Sequence, residues 1–219
     1  MTIIVWILAF LIAITIHEAA HAYVADRLGD PTPRLQGRLS LNPIVHYDPI
    51  GTTLLFFLVI LRAVTQNPAI IPFGWAKPVR FDPYNLANPR RDSALISLAG
   101  PASNLILAAL ISIVFRLTYT PFSPLSFLYA LALPVIFLNV ALAVFNLIPV
   151  HPLDGGKILV GLLPSKEARE ADLFLGRYGM IILFLLIFPT FGGASPVSLV
   201  ISPIINFLLS ILAPASSII

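Results

Sequence analysis

The sequence IIVWILAFLIAITIHEAAH occupies residues 3–21, and its first fourteen residues are apolar except for Thr15. If the helix continues to about Ala25, it reaches the ~20 residues that are needed to cross the hydrocarbon core of a bilayer. The run ends in HEAAH at residues 17–21. Ionisable groups are costly in a membrane helix, about 2.5–3.5 kcal/mol for a carboxylate on insertion scales. The segment therefore predicts a membrane helix that carries a functional polar group near one end.

The composition of the whole chain also indicates a membrane protein. Of its 219 residues, 58% are hydrophobic and 11% are charged, against roughly 25% charged residues in a typical soluble domain. A chain of this size exposes too much surface to hide so much apolar material from water, which disfavours a soluble enzyme or a disordered tail. A formal net charge of +3 gives no basic patch for nucleic acid. Because cysteine is absent, disulfides and thiolate metal ligands are excluded.

Three further long apolar stretches predict the rest of the membrane domain. They cover residues 93–115, 125–149 and 176–213, and the last is broken by a Gly/Pro-rich turn at 189–196, which predicts a hairpin of two spans. The segment 50–61 is apolar over only 12 residues, a length more typical of a re-entrant helix than of a span. The sequence thus predicts one all-α polytopic domain over the whole chain, with about five spans and one re-entrant segment.

The positive charges test this topology independently, because Lys and Arg are enriched in cytoplasmic loops. With a re-entrant segment at 50–67, twelve of the 13 Lys and Arg residues fall on one side of the membrane and only Arg116 on the other. If the segment spans instead, the division is nine against four. The first arrangement is favoured and gives an outside N-terminus, although a six-span topology stays open. No Lys or Arg precedes Arg27, so we expect the first span to be retained rather than cleaved as a signal peptide.

Residues 70–92 are rich in proline and aromatic residues, and a helix cannot continue through those prolines. The sequence IPFGWAKPV at residues 71–79 predicts an extended strand or loop at the membrane surface. An extended segment can bind an unwound peptide by strand addition. Phe73, Gly74 and Trp75 are the candidate residues of such a substrate strand.

The two histidines of HEAAH, His17 and His21, are four residues apart. On a helix they lie about 40° apart on one face, where both imidazoles can bind the same ion. Glu18 is adjacent and can reach a metal-bound water without being a ligand. This H-E-x-x-H arrangement is typical of zinc sites in which the glutamate is the general base. The simpler interpretation is a helix end whose polar residues meet the lipid headgroups.

A catalytic zinc ion usually has three protein ligands and one open position, so His17 and His21 need a partner. Asp154 is a candidate, in the sequence FNLIPVHPLDGG at residues 145–156. The two prolines stop the preceding helix, and the two glycines permit a tight backbone. A carboxylate at the broken end of a membrane helix can point into the bundle core. The same sequence also fits an ordinary Asp-Gly turn at the membrane surface.

In combination, these motifs resemble those of the site-2 protease family of intramembrane zinc metalloproteases. The family pairs H-E-x-x-H with a later N-x-x-P-x-x-P-L-D-G-G-type motif, here at residues 146–156, and often carries G-P-x-x-N between them, here at 100–104. Segment 73–79 is similar to a stretch in compact bacterial and archaeal members, which lack the PDZ-like or cystathionine-synthase-like domain of some relatives. The resemblance covers about residues 1–160, the expected catalytic core. The final hairpin, about 176–213, has no recognisable signature.

The resemblance implies one zinc ion bound by His17, His21 and Asp154, with Glu18 as the acid/base. It implies an integral protein of a prokaryotic plasma membrane. The charge distribution predicts a cytoplasmic C-terminus, and because water must reach the zinc, we expect the active site near the cytoplasmic face. The expected partners are the lipid bilayer and a membrane-embedded protein substrate, which would be a single-span protein cut in or near its transmembrane segment. The sequence does not identify the natural substrate, the cleavage sequence or the oligomeric state.

Four other polar residues have less defined roles. The resemblance suggests that Asn146 contacts the substrate or stabilises the oxyanion, whereas an ordinary helix–helix hydrogen bond explains it equally well. Asn104 is a second candidate for substrate binding, and a packing or orienting role is favoured for it. His151 is interpreted as a solvated loop residue, with an indirect influence on the site or on its pH response as the alternative. His46 is interpreted as a surface-loop residue.

Two other functions fit the intramembrane polar residues. A membrane transporter or metal carrier would use His, Glu and Asp as an ion path, but it predicts further charged groups in the other spans, and Asn206 and hydroxyl groups are all that the last two spans offer. A non-catalytic member of the fold would be expected to lose Glu18 or a metal ligand, and this chain keeps all four residues. The apolar spans exclude a soluble zinc protease.

Overall fold

The computed structural model describes residues 3–66, 74–118, 126–188 and 195–213. Helices are the main regular structure of these residues, and no strand occurs among them, which confirms the all-α class for this part of the chain. The helices are α1 (Ile3–Arg27), α2 (Thr32–Leu35), α3 (Pro43–His46), α4 (Gly51–Thr65), α5 (Pro89–Thr118), α6 (Ser126–Asn146), α7 (Asp154–Leu162), α8 (Ser165–Ile187) and α9 (Pro196–Leu212), with a single 3-10 turn at Pro83–Asn85.

Among the described helices, α1 and α5 are long and apolar enough to cross a membrane. The first has 25 residues and ends at Arg27, so it is about 38 Å long at 1.5 Å per residue. The predicted continuation to about Ala25 is therefore confirmed. The second has 30 residues and continues past Pro101. The two helices pack against each other and against α6, and these three helices hold His17, His21, Asn104 and Asn139.

The other apolar helices are shorter. Their apolar parts are Gly51–Arg62 in α4, Ala130–Asn146 in α6 and Pro196–Leu212 in α9. The 15 residues of α4 extend about 22 Å, which is less than the ~30 Å of a hydrocarbon core. This length agrees with a re-entrant helix. The number of spans and the re-entrant path remain predictions.

Helix α8 begins at Ser165, well before the predicted start near Gly176. Its first half is charged and exposed, whereas its second half is apolar; the charged residues are Lys166, Glu167, Arg169, Glu170, Asp172 and Arg177. Apolar composition identifies the part of a helix that lies in lipid, so the sequence predicts only the second half of α8. The predicted turn at 189–196 that links α8 to α9 lies largely outside the described residues.

Packing of α9 against α5 and α6 joins the final hairpin to the rest of the bundle. Ile205 of α9 belongs to one buried apolar cluster with Ala108 of α5 and, on α6, Ile136, Val140 and Val144. Burial of apolar side chains stabilises such a contact through close packing, which lipid cannot match as well as a fitted protein surface. This cluster holds α5 and α6 side by side.

Residues 74–82 form an extended segment that is not part of a sheet in the described structure. Thr52 Oγ1 donates a hydrogen bond to Trp75 O at 3.1 Å, and Lys77 N donates to His46 O at 2.9 Å. The segment is therefore fixed to α3 and to the start of α4. Its use as a substrate strand remains a prediction, and Phe73 lies outside the described residues.

The interpretation of His46 as a surface-loop residue is wrong. Its side chain is 1% exposed, and its Nε2 donates to Ser40 O at 2.9 Å. The reason is local: Asn42 caps the single-turn helix α3 by accepting from Ile44 N, and this helix turns the imidazole inward. His46 thus helps to hold the extended segment through its backbone carbonyl, while its ring is bound to the loop at Ser40.

Candidate active site

His17 and His21 lie one turn apart on α1, on the same face. Their ring centroids are 4.6 Å apart and the rings are nearly perpendicular. Both side chains are buried, as expected for a helix face that contacts α5. The spacing of four residues therefore brings the two imidazoles together, as the sequence predicts.

Asp154 is the first residue of α7 and completes the cluster. Its Oδ2 atom lies 3.2 Å from His17 Nε2 and 3.3 Å from His21 Nε2. The backbone next to Asp154 packs closely against the end of α6 and the turn after it. A Cβ on Gly155 would lie 2.3 Å from Ile148 O, so a residue with a side chain does not fit at position 155. The carboxylate points at the histidines, and an ordinary surface turn does not describe it.

The Nδ1 atoms of the two histidines have hydrogen-bond partners that fix the tautomers. His21 Nδ1 lies 2.7 Å from Ile96 O, and a carbonyl can only accept, so Nδ1 carries the proton. His17 Nδ1 donates in the same way to Asn104 Oδ1 at 2.6 Å. In the neutral rings both lone pairs are therefore on Nε2, facing Asp154. Histidines that bind metals usually donate their other ring N–H in this manner.

Asn104 is fully buried and links α1, α5 and α6. Its Nδ2 donates to Ala13 O at 3.0 Å and to Asn139 Oδ1 at 2.6 Å, which leaves Oδ1 to accept from His17. Asn139 donates in turn to Val135 O at 2.8 Å. Both amides are 0% exposed, so the geometry agrees with the predicted orienting role of Asn104. Asn139 was not singled out from the sequence, although a lone amide inside an apolar helix is a recognisable signal.

Gly100 explains how closely α5 approaches the histidines. A Cβ at this position would lie 2.5 Å from Cε1 and Nε2 of His21 and 2.6 Å from Cε1 of His17. Any side chain would therefore displace both imidazoles. In the G-P-x-x-N motif, the glycine thus gives the histidines room, and the asparagine four residues later orients His17.

The three facing atoms fit a divalent metal ion. His17 Nε2, His21 Nε2 and Asp154 Oδ2 all lie within 4.8 Å of one another, and Asp154 Oδ2 is buried with no hydrogen-bond donor among the described residues. A buried carboxylate beside two lone pairs needs a cation. Two histidines and one carboxylate form a ligand set of catalytic zinc.

Glu18 lies beside this cluster and is not one of the three metal-facing groups. Its Oε2 atom accepts a hydrogen bond from Val79 N at 2.9 Å, and its side chain is buried. The extended segment 74–82 therefore reaches the predicted general base directly. A carboxylate next to the ligand set but outside it can transfer protons to and from a bound reactant.

The remaining predicted residues do not bond to the metal-facing groups. Asn146, the last residue of α6, donates to the carbonyl of its own helix four residues earlier, at 2.9 Å. Gly74 packs against the start of α4, where a Cβ would lie 2.3 Å from Gly51 O, and the neighbouring Trp75 is 44% exposed. The substrate-binding roles of Asn146, Gly74 and Trp75 therefore stay predictions.

His151 is neither freely solvated nor part of the metal cluster. Its Nε2 atom lies 3.4 Å from Asp172 Oδ1 on α8. Burial lowers the pKa of His151 by more than the Asp172 carboxylate raises it. The residue thus connects the turn before α7 to the charged half of α8.

The chain is similar to several known proteins. The family description "Peptidase family M50" matches residues 120–188. The chain is 36% identical over 205 residues to "Putative zinc metalloprotease YwhC" of Bacillus subtilis (strain 168), an alignment that covers 91% of this chain and 85% of that protein. No solved structure matches the chain.

Two mycobacterial proteins named "Putative zinc metalloprotease Rip2" are also similar. The one from Mycolicibacterium smegmatis is 32% identical over 189 residues, with 83% of this chain and 65% of that protein covered. The one from Mycobacterium tuberculosis (strain ATCC 25618 / H37Rv) is 30% identical over 192 residues, with 85% of this chain and 68% of that protein covered. The resemblance inferred from the motifs is thereby confirmed, and the chain belongs to peptidase family M50, the site-2 protease family of zinc metalloproteases.

Proposed function

We propose that this protein is an intramembrane zinc metalloendopeptidase that hydrolyses peptide bonds in or near the transmembrane segment of single-span membrane proteins. The observation that carries the proposal is the convergence of His17 Nε2, His21 Nε2 and Asp154 Oδ2 toward the end of a helix that is long and apolar enough to cross a membrane. These three groups would hold one zinc ion and leave a fourth position open for a reactant.

The chain's own residues account for the proton transfers. Zinc, when bound, supplies a Lewis acid that polarises the scissile carbonyl and lowers the pKa of water toward ~7. Glu18 accepts a proton from the attacking water, while the Val79 N–H holds the orientation of its carboxylate. The same carboxyl group then donates the proton to the leaving amine. The histidines keep their orientation because their Nδ1 atoms are bound within the protein.

The position of the site along α1 supports access from the cytoplasm. His17 and His21 lie in the second half of this helix, which ends at Arg27, and the segments that follow carry most of the positive charge. If these segments are cytoplasmic, water has a short path to the site. We therefore propose a prokaryotic plasma-membrane protein with its active site near the cytoplasmic face.

The substrate must unwind before it is cut, because a helical peptide keeps its carbonyls in hydrogen bonds. The extended segment 74–82 meets Glu18 through Val79 N, so it lies where it could bind an unwound stretch. Asn146 is proposed to contact that stretch or to stabilise the oxyanion. Substrates with helix-weakening residues near the scissile bond should be cut faster than matched substrates with helix formers, and equal rates would contradict this part of the proposal.

The proposal is tested by cleavage of a single-span model substrate with purified, detergent-solubilised protein. The wild type is compared with Glu18→Gln and with a control, Glu170→Gln, which changes an exposed glutamate on α8. Zinc content is measured on all three proteins. We expect about one zinc per chain in each, with cleavage by the wild type and by the control, and none by Glu18→Gln.

Two results would overturn the proposal. If none of the proteins binds zinc, the assignment of the metal ligands is wrong. If Glu18→Gln cuts as fast as the wild type, Glu18 is not the acid/base. Zinc binding without cleavage of any substrate would favour a non-catalytic member of the fold or a metal carrier.

A further inference from the structure

A cavity of about 850 Å³ adjoins the proposed active site, and its size is within the range of ligand-binding pockets. Its walls come from four places: the extended segment at 78–83, the start of α5, residues 151–160 and the start of α8. Val79 belongs both to this cavity and to the active site, because its N–H is bound to Glu18. A ligand in the cavity would therefore lie next to the general base.

The charge of the cavity is mainly positive, and we call it the cationic cavity. Four cationic side chains and one carboxylate line it within the described structure: Arg80, Arg90, Lys157, Arg169 and Asp172. The carboxylate faces another lining residue, His151, at 3.4 Å. An excess of one charge in a concave, partly apolar site concentrates ligands of the opposite charge.

Lys157 is the least exposed of these cations. Its Nζ atom lies 4.5 Å from the centroid of the Phe81 ring, and both residues line the cavity. No carboxylate or carbonyl of the described residues forms a hydrogen bond or an ion pair with it. Burial lowers the pKa of Lys157 by more than the charges of Asp154, Glu18 and Asp172 raise it. The ammonium group therefore lacks a close anionic partner, and an anion in the cavity would supply one.

The walls favour a polypeptide over a lipid headgroup as the occupant. A bound lipid would extend its acyl chains along the apolar outer face of a membrane helix. None of the lining residues belongs to α1, α4, α6 or α9, or to the apolar halves of α5 and α8. The extended segment, by contrast, leads from the cavity to Glu18, as a bound peptide near the scissile bond would have to do.

We propose that the cationic cavity binds an acidic side chain of the substrate, Asp or Glu, close to the scissile bond, and that Lys157 is its main partner. The inference rests on the proposed function and defines its substrate class further. Single-span proteins with an acidic residue on the cytoplasmic side of the cleavage site would be preferred. Arg90 and Arg169, which are more exposed, would contribute mainly to the attraction of the acidic segment.

The test compares pairs of single-span substrates that differ only by Asp or Asn, at successive positions on the cytoplasmic side of the scissile bond. The enzyme is reconstituted in phosphatidylcholine vesicles, and kcat/KM is measured for each pair. At the best position we expect the wild type to prefer Asp over Asn by about tenfold. Lys157→Gln should reduce this ratio to about one, and Lys157→Arg should keep most of it. Lys166→Gln, which removes an exposed charge on α8 outside the cavity, should leave the ratio unchanged.

The Asp/Asn ratio of kcat/KM is compared within each enzyme, because Lys157 is close to Glu18 and Asp154. Its replacement can therefore change kcat/KM for all substrates by the same factor. If Lys157→Gln does not fold, the wild type still tests the inference. A preference for Asp that depends on charge must weaken as the salt concentration rises, so the Asp/Asn ratio of the wild type is measured at several salt concentrations. Equal kcat/KM for Asp and Asn at every position would overturn the inference while the proposed function stands.

Binding measured without cleavage separates the two failures. The same Asp and Asn substrates, fluorescently labelled, are titrated against the zinc-loaded Glu18→Gln variant. Tighter binding of the Asp member supports the inference even if no turnover is detected, and equal binding contradicts it. Vesicles that contain phosphatidylglycerol provide the lipid comparison. If Lys157→Gln changes the response to this lipid and leaves the Asp/Asn ratio unchanged, the cavity is a lipid-headgroup site and the inference is wrong.

Discussion

Asn139 acts on the metal ligands through Asn104, although it touches neither histidine. Its Oδ1 atom accepts from Asn104 Nδ2 at 2.6 Å, which holds that amide with its own Oδ1 toward His17. Without this partner, the Asn104 amide could rotate and present its NH₂ group to the ring. The ring would then lose the acceptor that keeps its lone pair on Nε2. Groups that support metal ligands in this way typically change metal affinity by about 10–100-fold.

Asn139→Leu is therefore expected to lower zinc affinity by about 10–100-fold. The measurement is zinc retention against a series of chelators of known affinity, together with thermal unfolding of the zinc-loaded and zinc-free protein. Asn206→Leu is the control, because it removes an exposed asparagine from another apolar helix, α9. If Asn139→Leu holds zinc as tightly as the wild type, the amide chain does not position His17.

Asp30 fixes the loop after α1 to the end of the extended segment. Its Oδ1 atom accepts from Thr32 N, Thr32 Oγ1 and Asn85 Nδ2, and its Oδ2 atom accepts from Asp82 N at 2.7 Å. The side chain is fully buried. Burial raises the pKa of Asp30, but these hydrogen bonds lower it by more, so the pKa in the folded protein lies below its ordinary value.

The sign of the pH effect follows from this lowered pKa. The stabilisation is fully present above the unfolded-state pKa of about 3.9 and is lost as the pH falls through the lower folded-state pKa. Asp30→Asn replaces one of the two acceptor oxygens with an NH₂ group. The donors that face this oxygen then lose their acceptor, which lowers the free energy of unfolding by about 1–3 kcal/mol. We expect a lower unfolding temperature at pH 7, and a smaller difference from the wild type near pH 3. A difference that does not change with pH would contradict the role of the ionised carboxylate.

At the scale of the elements, the distance between α1 and α5 depends on Gly100. The Cβ of an alanine would lie 2.5 Å from two ring atoms of His21, and the rings cannot retreat without breaking the bonds to Asn104 and Ile96. Gly100→Ala should therefore lower zinc affinity at least tenfold and destabilise the fold by about 1–3 kcal/mol.

Gly176→Ala is the matched control for this prediction. Nothing lies within 4 Å of the Cβ that alanine would add there, and alanine favours an exposed helix over glycine by about 1 kcal/mol. Zinc affinity and unfolding temperature should therefore stay the same or rise slightly. If Gly100→Ala behaves like Gly176→Ala in both measurements, the close approach of α5 is not needed for the metal site.

At the same scale, the sequence predicts elements best where one physical property dominates. The long apolar run at residues 3–16 and the spacing of His17 and His21 were sufficient to predict α1 and its reactive face. Helix α8 is predicted only in part, because its charged first half has no apolar run and its packing against α7 is not a property of the local sequence. The burial of His46 is not predicted, because it depends on how the single turn of α3 directs the imidazole, which composition does not reveal.

For the whole molecule, the ligand set could be inferred from motifs, but the support around it could not. Asp154 is recognisable because its motif is specific, and the same holds for Gly100 and Asn104. Asn139 and Lys157 belong to no quoted motif, and their roles follow from which helices become neighbours. Hydrogen bonds and charges across helices thus require the tertiary structure, whereas apolar length and ligand spacing are properties of the local sequence.

The path of α4 is a further property of the whole molecule, and contacts on its two sides constrain it. Residues before α4 bind directly to residues after it: Asp82 N donates to Asp30 Oδ2 at 2.7 Å, and Lys77 N donates to His46 O at 2.9 Å. Segments within hydrogen-bond distance lie on the same side of a membrane. We therefore predict a re-entrant α4 and five spans rather than six.

Single cysteines can decide between the two topologies, because the chain has no cysteine of its own. Leu35, Leu117 and Leu162 are 81%, 81% and 79% exposed, so each can be replaced by cysteine with little loss of packing. With five spans, Leu35→Cys and Leu162→Cys should both react with a membrane-impermeant maleimide only after the cells are permeabilised, and Leu117→Cys should react on intact cells. With six spans, Leu35→Cys would react together with Leu117→Cys. That result would place a membrane crossing between residues that the structure joins by hydrogen bonds, and it would contradict both the re-entrant path of α4 and the contact of the extended segment with the loop after α1.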